Sequence, residues 1–259
     1  MKNLRRYGKA PYTVAVIHGG PGARGDMAPV AKELCKTCSV LEPLQTSTSI
    51  NEQVQELYQI LNKHGELPIT LIGHSWGAWL GFIFAAKYPF FVKKLIIIGS
   101  GPFEEKYVSN IMKTRLSRVS KKERIKLDTM MEEMNNPCIK DKNLIFTKFG
   151  ELMSKTDSFK PILSNNKVEV QYDIFKDVWK EAEELRRSGK LLELGKKIRC
   201  PVVAIHGNYD PHPFIGIEKP LSQQVKDFQF ILLKKCGHYP WLEHYAKDKF
   251  YKIIKKELT

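Results

Sequence analysis

The sequence predicts an α/β fold, in which a mostly parallel sheet is flanked by helices and interrupted by one helical insertion. Three observations predict it. Short apolar runs of strand length alternate with helical patterns, which calls for a sheet covered on both faces. A serine lies between two glycines where one such run meets a helix, in Gly73-His74-Ser75-Trp76-Gly77. One stretch of about a hundred residues abandons the alternation for charged, helical periodicity.

Taken in order, the first clear strand is Tyr12 to Ile17, followed by a glycine-rich turn and a helix over Asp26 to Cys35. A short strand, Ser39 to Leu41, leads to a helix over Asn51 to His64, with Ser49-Ile50-Asn51-Glu52 supplying a capping box at its start. Ile69 to Ile72 is apolar throughout and reads as a buried strand, Trp76 to Tyr88 as a helix and Leu95 to Ile98 as the next strand. Within the long insertion Thr114 to Met134 and Tyr172 to Leu192 are amphipathic, with aromatics such as Trp179 on the buried side. The alternation then resumes with strand Val202 to Ile205, helix Ile215 to Val225, strand Phe228 to Leu233 and helix Trp241 to Leu258. The expected division is a core of residues 1–101 and 200–259 with a cap of residues 102–199.

Composition narrows the function classes. A chain of 259 residues with 42% hydrophobic content can bury a full core without staples. No apolar stretch approaches the roughly 18 residues of a membrane span, and the basic start Met1 to Ala10 leads into only a few apolar residues, so a cytoplasmic protein is expected. Five scattered cysteines fit a reducing compartment. Cys35-Lys36-Thr37-Cys38 lacks the second pair or nearby histidines of a zinc site, and it sits near a helix end rather than at the helix start a redox motif uses. The net charge of +14 is spread, with 22 basic and 16 acidic residues over Gly101 to Cys200 and 20 against 12 elsewhere. That is the pattern of a solvated surface, without the single basic stripe of a nucleic-acid groove.

The chemistry gathers at strand ends. A sharp strand-to-helix turn at Ser75 demands small neighbours, here Gly73 and Gly77, and aims the free amides and positive dipole end of the next helix at the serine. Such a hydroxyl needs a base, and the base needs an orienting carboxylate. His238, in Cys236-Gly237-His238-Tyr239-Pro240, follows the last strand and is the candidate base; His244 falls in the last helix and fits worse. Asp210 leaves the strand Val202 to Ile205 by a glycine turn and is the candidate acid, with Glu104 and Glu105 after the preceding strand as the alternative position. His212 competes as base only if His238 is misplaced. His18-Gly19-Gly20-Pro21-Gly22 leaves the first strand as a loop whose backbone can approach a reacting carbonyl.

Together these residues resemble an α/β-hydrolase over nearly the whole chain, and the H-G-G-P-G form resembles the proline iminopeptidase branch of that superfamily. The resemblance implies a Ser75, Asp210, His238 triad, with Gly20 and Trp76 amides as the oxyanion hole and His18, Gly19 and Gly22 shaping the loop. Family members usually carry two more strands before this loop, so the sheet is expected to be N-terminally shortened. The implied activity is cleavage of an ester or amide bond of a small substrate through an acyl-enzyme, with no metal or organic cofactor. A carboxylesterase-like enzyme is preferred to an iminopeptidase, whose cap carboxylates would have to come from residues such as Glu104, Glu132 and Glu183. An acyltransferase, or a slow-turnover receptor or interaction module on the same fold, would carry the same residues.

Overall fold

The computed structural model describes residues 3–259. Nine strands and ten α-helices follow one another along the chain. The first part runs β1 (Leu4–Tyr7), β2 (Val14–Ile17), β3 (Ala23–Arg24), α1 (Ala28–Leu34), β4 (Val40–Pro43), α2 (Ile50–His64), β5 (Ile69–His74), α3 (Trp76–Lys87) and β6 (Val92–Ile98). Residues between β6 and β8 form α4 (Ser109–Ser117), α5 (Lys121–Asn135), α6 (Asn143–Asp157), β7 (Glu169–Val170), α7 (Tyr172–Arg187) and α8 (Lys190–Glu193). The chain closes with β8 (Val202–Gly207), α9 (Ile215–Gln224), β9 (Phe228–Leu233) and α10 (Lys247–Leu258).

Seven strands build one sheet in the order β1-β4-β2-β5-β6-β8-β9, parallel except where β1 pairs antiparallel with β4 at the edge. The strands are apolar on both sides because both faces are covered. Val14, Val16, Ile96 and Val203 pack with Val30 and Leu34 of α1 and Phe250 and Ile254 of α10. Ala15, Ile17, Leu71, Ile97 and Ala204 face the other way, onto Leu57 of α2, Phe82 of α3 and Leu221 of α9. Helix α3 is buried from Trp76 through Ala86, which explains why its sequence lacks a polar face.

The strand order also places the site. From β2 the chain steps outward to β4, then returns to put β5 on the other side of β2, so the direction of travel reverses between β2 and β5. In open parallel sheets the crevice for a ligand lies outside the carboxyl ends at such a reversal. The loop after β2 and the turn after β5 are the two segments that leave the sheet there.

Several elements differ from the sequence expectation. The edge strand β1 was not expected from the sequence, because its Leu-Arg-Arg-Tyr shows no apolar run where an edge strand buries so little. Thr114 to Met134 is two helices, α4 and α5, broken ahead of Ser120, which makes a capping box with Glu123. The helix α6 was not expected, and Tyr172 to Leu192 divides at Gly189, which has φ +77°. The last helix starts only at Lys247, because Pro240–Leu242 forms a separate 3₁₀ turn.

Candidate active site

The turn after β5 is built as the sequence requires. Ser75 has φ 52° and ψ −113°, a strained conformation for a residue with a side chain, and its N–H donates to Ile98 O at 2.9 Å. The flanking glycines are obligatory for space. A Cβ on Gly73 would lie 2.1 Å from Gly77 O, and one on Gly77 would lie 2.3 Å from Ile17 O and 2.6 Å from His18 O. The elbow therefore presses directly on the start of the H-G-G-P-G loop, and a Cβ on Gly19 would sit 3.2 Å from Ser75 Cβ.

That loop is held by buried polar residues. His18 donates from Nδ1 to Gly19 O at 3.1 Å and accepts the Gln45 N–H on Nε2 at 3.3 Å, and burial lowers its pKa to about 4, so it ties the loop to the segment after β4 as a neutral ring. Asp26 Oδ2 accepts the Gly19 N–H at 3.0 Å and meets His74 Nδ1 at 2.7 Å. Burial works against the Asp26 charge, but the His74 charge and hydrogen bond and the Gly19 amide outweigh it and lower its pKa. The Gly19 amide is thus committed to Asp26, and the next residue, Gly20, has φ +46°. Gly22, with φ +88°, accepts the Gln171 N–H on its carbonyl at 3.1 Å, and β3 pairs with β7 beside it, so the segment leading into α7 lies over the loop.

Asp210 and His238 lie against each other. His238 Nδ1 donates to Asp210 Oδ2 at 2.6 Å, and both side chains are buried. The His238 ring lies over Gly99, where a Cβ would stand 3.2 Å from Nδ1; Gly99 follows Ile98, the residue that holds the Ser75 amide. His74, next to Ser75, brings its Nε2 to within 3.0 Å of His238 O and its ring to 4.7 Å from the His238 ring. The serine turn and the histidine loop are thus bound to each other through a neighbour of each.

The electrostatics follow from burial and charge. Burial disfavours a charged His238, but the Asp210 charge and hydrogen bond prevail and raise its pKa above the usual 6.5. Burial would raise the Asp210 carboxyl, yet the charges of His238, His212 and His206 and the His212 hydrogen bond hold it well below the ordinary range. His212 does not replace His238. It donates from both N (3.0 Å) and Nδ1 (2.7 Å) to the other Asp210 oxygen, and burial lowers its pKa to about 4.

The alternatives are occupied elsewhere. Glu104 pairs with Lys106 at 2.8 Å and Glu105 with Arg186 at 2.8 Å, while the His244 ring lies against Tyr245. Glu183 accepts the Trp179 Nε1–H at 2.9 Å, and Glu132 is exposed. Trp179 stacks between Trp79 of α3 and Phe175, at 5.9 and 6.1 Å, which fixes α7 to the core. A groove of about 1150 Å³ runs between α2, α3 and α7, but Ser75, Asp210 and His238 do not line it.

Sequence reasoning missed the residues that hold the His238 loop. Asp157, at the end of α6, accepts the His238 N–H on its carbonyl at 2.8 Å, and its carboxylate takes a two-pronged bond from Arg115 of α4 at 2.8 and 2.6 Å. Buried Glu243 accepts three backbone amides, from Phe159 at 2.7 Å, Lys160 at 2.8 Å and Gly237 at 2.8 Å. No spacing signals the bonds of His238 to Asp157 and of Glu243 to Phe159 and Lys160, because each joins the insertion to a loop some 80 residues further on.

A model of the alpha/beta hydrolase fold family matches residues 12–245. A proline iminopeptidase of Saccharolobus solfataricus is 23% identical over 274 aligned residues, covering 94% of this chain and 83% of that protein. Among solved structures, VinJ superposes with a TM-score of 0.70 at 17% identity, over 98% of this chain and 93% of its own. The meta-cleavage product hydrolase of Pseudomonas fluorescens IP01 does so with a TM-score of 0.65 at 15% identity, over 99% and 94%.

Proposed function

The chain belongs to the alpha/beta hydrolase fold family, and from that premise we propose that it is a serine hydrolase that cleaves a small carboxylic ester through an acyl-enzyme. One observation carries the proposal: a strained Ser75 whose neighbour His74 lies 4.7 Å, ring to ring, from a buried His238 whose Nδ1 is held by Asp210 at 2.6 Å. With Nδ1 donating to the carboxylate, Nε2 is the ring atom free to accept the Ser75 proton. Asp210 fixes the ring and stabilises the imidazolium that forms.

Ser75 Oγ attacks the carbonyl carbon, its proton passes to His238 Nε2, and the oxyanion faces the Gly20 and Trp76 amides, the latter at the positive end of α3. Each such donor is worth on the order of 3 kcal/mol in the transition state. Collapse expels the alcohol, which takes the proton from His238. Water then repeats the sequence, adding to the acyl carbon as His238 accepts its proton, and Ser75 leaves with that proton. The segment of residues 102–199 serves as the cap over this site.

A second reading, amino-terminal peptidase action, is favoured by the H-G-G-P-G loop and by the likeness to the iminopeptidase. Such an enzyme must hold a free ammonium group with carboxylates. Of the three cap carboxylates considered for that role, Glu104 pairs with Lys106, Glu183 holds Trp179 and Glu132 points to solvent, which supports the ester reading. The test is a fluorophosphonate probe on wild type and Ser75→Ala, beside a panel of short and long p-nitrophenyl esters and proline p-nitroanilide. Labelling lost in Ser75→Ala with ester turnover is expected. Hydrolysis of the anilide alone would reverse the order of the two readings, and an unlabelled protein with full activity would remove Ser75 as nucleophile.

A further inference from the structure

Building on the roles assigned above to Asp210 and His238, we propose that Asp210, His212 and His238 form a zinc(II) site, and that metal bound there switches the catalytic base off. One donor atom from each residue lies within 4.8 Å of the other two. Two imidazoles and a carboxylate are a donor set that zinc takes, whereas calcium and magnesium favour oxygen alone.

His212 is what turns an acid and base pair into a chelating tripod. Its backbone N–H already satisfies Asp210 Oδ1 at 3.0 Å, so the ring Nδ1 at 2.7 Å is a second donor on an oxygen that did not need one. The two carboxylate oxygens therefore each face an imidazole, at 2.6 and 2.7 Å. Zinc bonds of about 2.0–2.1 Å in tetrahedral array separate neighbouring donors by about 3.3 Å, so binding asks each N···O pair to open by about 0.6 Å and the widest donor pair, within 4.8 Å, to close by up to about 1.5 Å.

The surroundings hold the three ligands without occupying the centre. His206 Nε2 donates to His212 O at 2.9 Å and lies 3.5 Å from Asp210 Oδ2, leaving its buried Nδ1 without a partner among the described residues. The His238 N–H is held by Asp157 O, and the nearby Arg115 guanidinium is matched by the Asp157 carboxylate. Such orienting bonds are a large part of a metal site's affinity. Access is past His212, whose side chain is 12% exposed against 4% for His238 and none for Asp210.

The consequence follows from counting protons. Asp210 binds as the carboxylate it already is. A neutral imidazole that gives its Nδ1 lone pair to zinc carries its proton on Nε2 instead, with nothing oxidised or reduced. In His238 that Nε2 is the atom that must accept the Ser75 proton, so the metal-bound enzyme has no base. Zinc at this position is inhibitory, unlike the activating metal of a zinc hydrolase.

Direct binding and activity are measured separately. Zinc(II) is titrated calorimetrically, and cobalt(II) by its visible absorption, into metal-free Ser75→Ala, into Ser75→Ala carrying His212→Phe or His212→Gln, and into Ser75→Ala carrying the surface change His64→Gln. One equivalent bound by Ser75→Ala and by the His64→Gln form, weakened at least 30-fold by either His212 change, supports the site. The two His212 variants are compared at equal folding, judged by circular dichroism melts, so the retained fold of one suffices. No binding, or binding indifferent to His212, overturns the proposal. Wild-type ester hydrolysis is then followed against free zinc: loss with the same concentration dependence supports the switch, and full activity with zinc bound overturns it. Absence of turnover on every ester without metal would sink the esterase reading while the binding result still stands or falls by itself.

Discussion

Replacing Glu243 by glutamine keeps the shape of a buried side chain and removes the one charge that receives three backbone amides from two parts of the chain. Glu243 Oε1 accepts from Phe159 and Gly237, and Oε2 accepts from Lys160. A glutamine can present its carbonyl oxygen to only one of these sides, and its amide then turns donors toward a donor. With the oxygen on the Phe159 and Gly237 side, two bonds weaken from charge-assisted to neutral and the Lys160 amide loses its acceptor. Hydrogen bonds to charged groups are worth about 1.5–3 kcal/mol and neutral ones about 1, so the loss is about 2–4 kcal/mol, with the Lys160 share discounted because that residue is exposed. For a chain of this size each kcal/mol moves Tm by about 2–4 °C, so a fall of about 10 °C is expected in a thermal melt. Gly237 precedes His238, so kcat/KM on a p-nitrophenyl ester should drop roughly tenfold as well. The control is Asp128→Asn on an exposed face of α5. A Tm shift under about 2 °C for Glu243→Gln would refute the account, because it would mean that the three amides find equal partners without the charge.

Four more outcomes are expected. His238 must be neutral to take a proton, so kcat/KM should fall as pH drops through a single ionisation above the ordinary 6.5, and that limb should move down in Asp210→Asn; a limb below 6.5 in the wild type would contradict the Asp210 pairing. Stability carries both signs: the raised His238 pKa adds stability that is full below about 6.5 and is lost as pH rises through the folded value, while depressed Asp210 adds stability above about 3.9 that is lost as pH falls through its folded value. In Gly77→Ala the new Cβ, 2.3 Å from Ile17 O, forces the elbow and the oxyanion loop apart by about 1 Å, and kcat/KM should fall by about 100-fold or more, with fluorophosphonate labelling slowed alongside it. Asp26→Asn can still place one oxygen where Oδ2 meets both the Gly19 amide and His74 but loses the charge that strengthens both bonds, so kcat should fall by about 10-fold with KM little changed; a variant altered only in KM would place Asp26 in substrate binding instead.

How much of this was legible depends on where the determining contacts lie. The strands β5, β6 and β8 show themselves as unbroken apolar runs because both faces are buried, and Ser75 announces its turn because only glycine fits at Gly73 and Gly77. Asp210 and His238 could be found because each leaves the end of its own strand, where the topology must gather side chains. β1 could not, since Arg5 and Arg6 break the apolar pattern and its pairing with β4 lies more than thirty residues away. Helix α6 carries Phe146, Phe149 and Met153 at helical spacing, but its N-cap residue is Lys142, which makes no side-chain cap, so the usual start signal is missing at that position. Trp241 reads in the sequence as the start of the last helix; it precedes that helix and is buried between His74, at 4.7 Å between rings, and Phe250 of α10, at 6.0 Å.

The residues that could not be read share one property: each accepts backbone amides near the site. Asp26 holds Gly19, the Asp157 carbonyl holds His238, and Glu243 holds Gly237 together with Phe159 and Lys160. A backbone amide leaves no trace in sequence, so neither does its partner. The bonds have a consequence for how the insertion can change. Two of these three acceptors bind the His238 loop directly to residues 157–160, so a substitution that shifts α6 moves the base as well as whatever roof the insertion forms. The loop after β2 is tied less directly, through the β3–β7 pairing and the Gly22 to Gln171 bond. Changes near α6 should therefore appear first in the rate of the chemical step, and changes confined to exposed parts of α5, which contributes only Leu127 to the buried set, in neither rate nor binding.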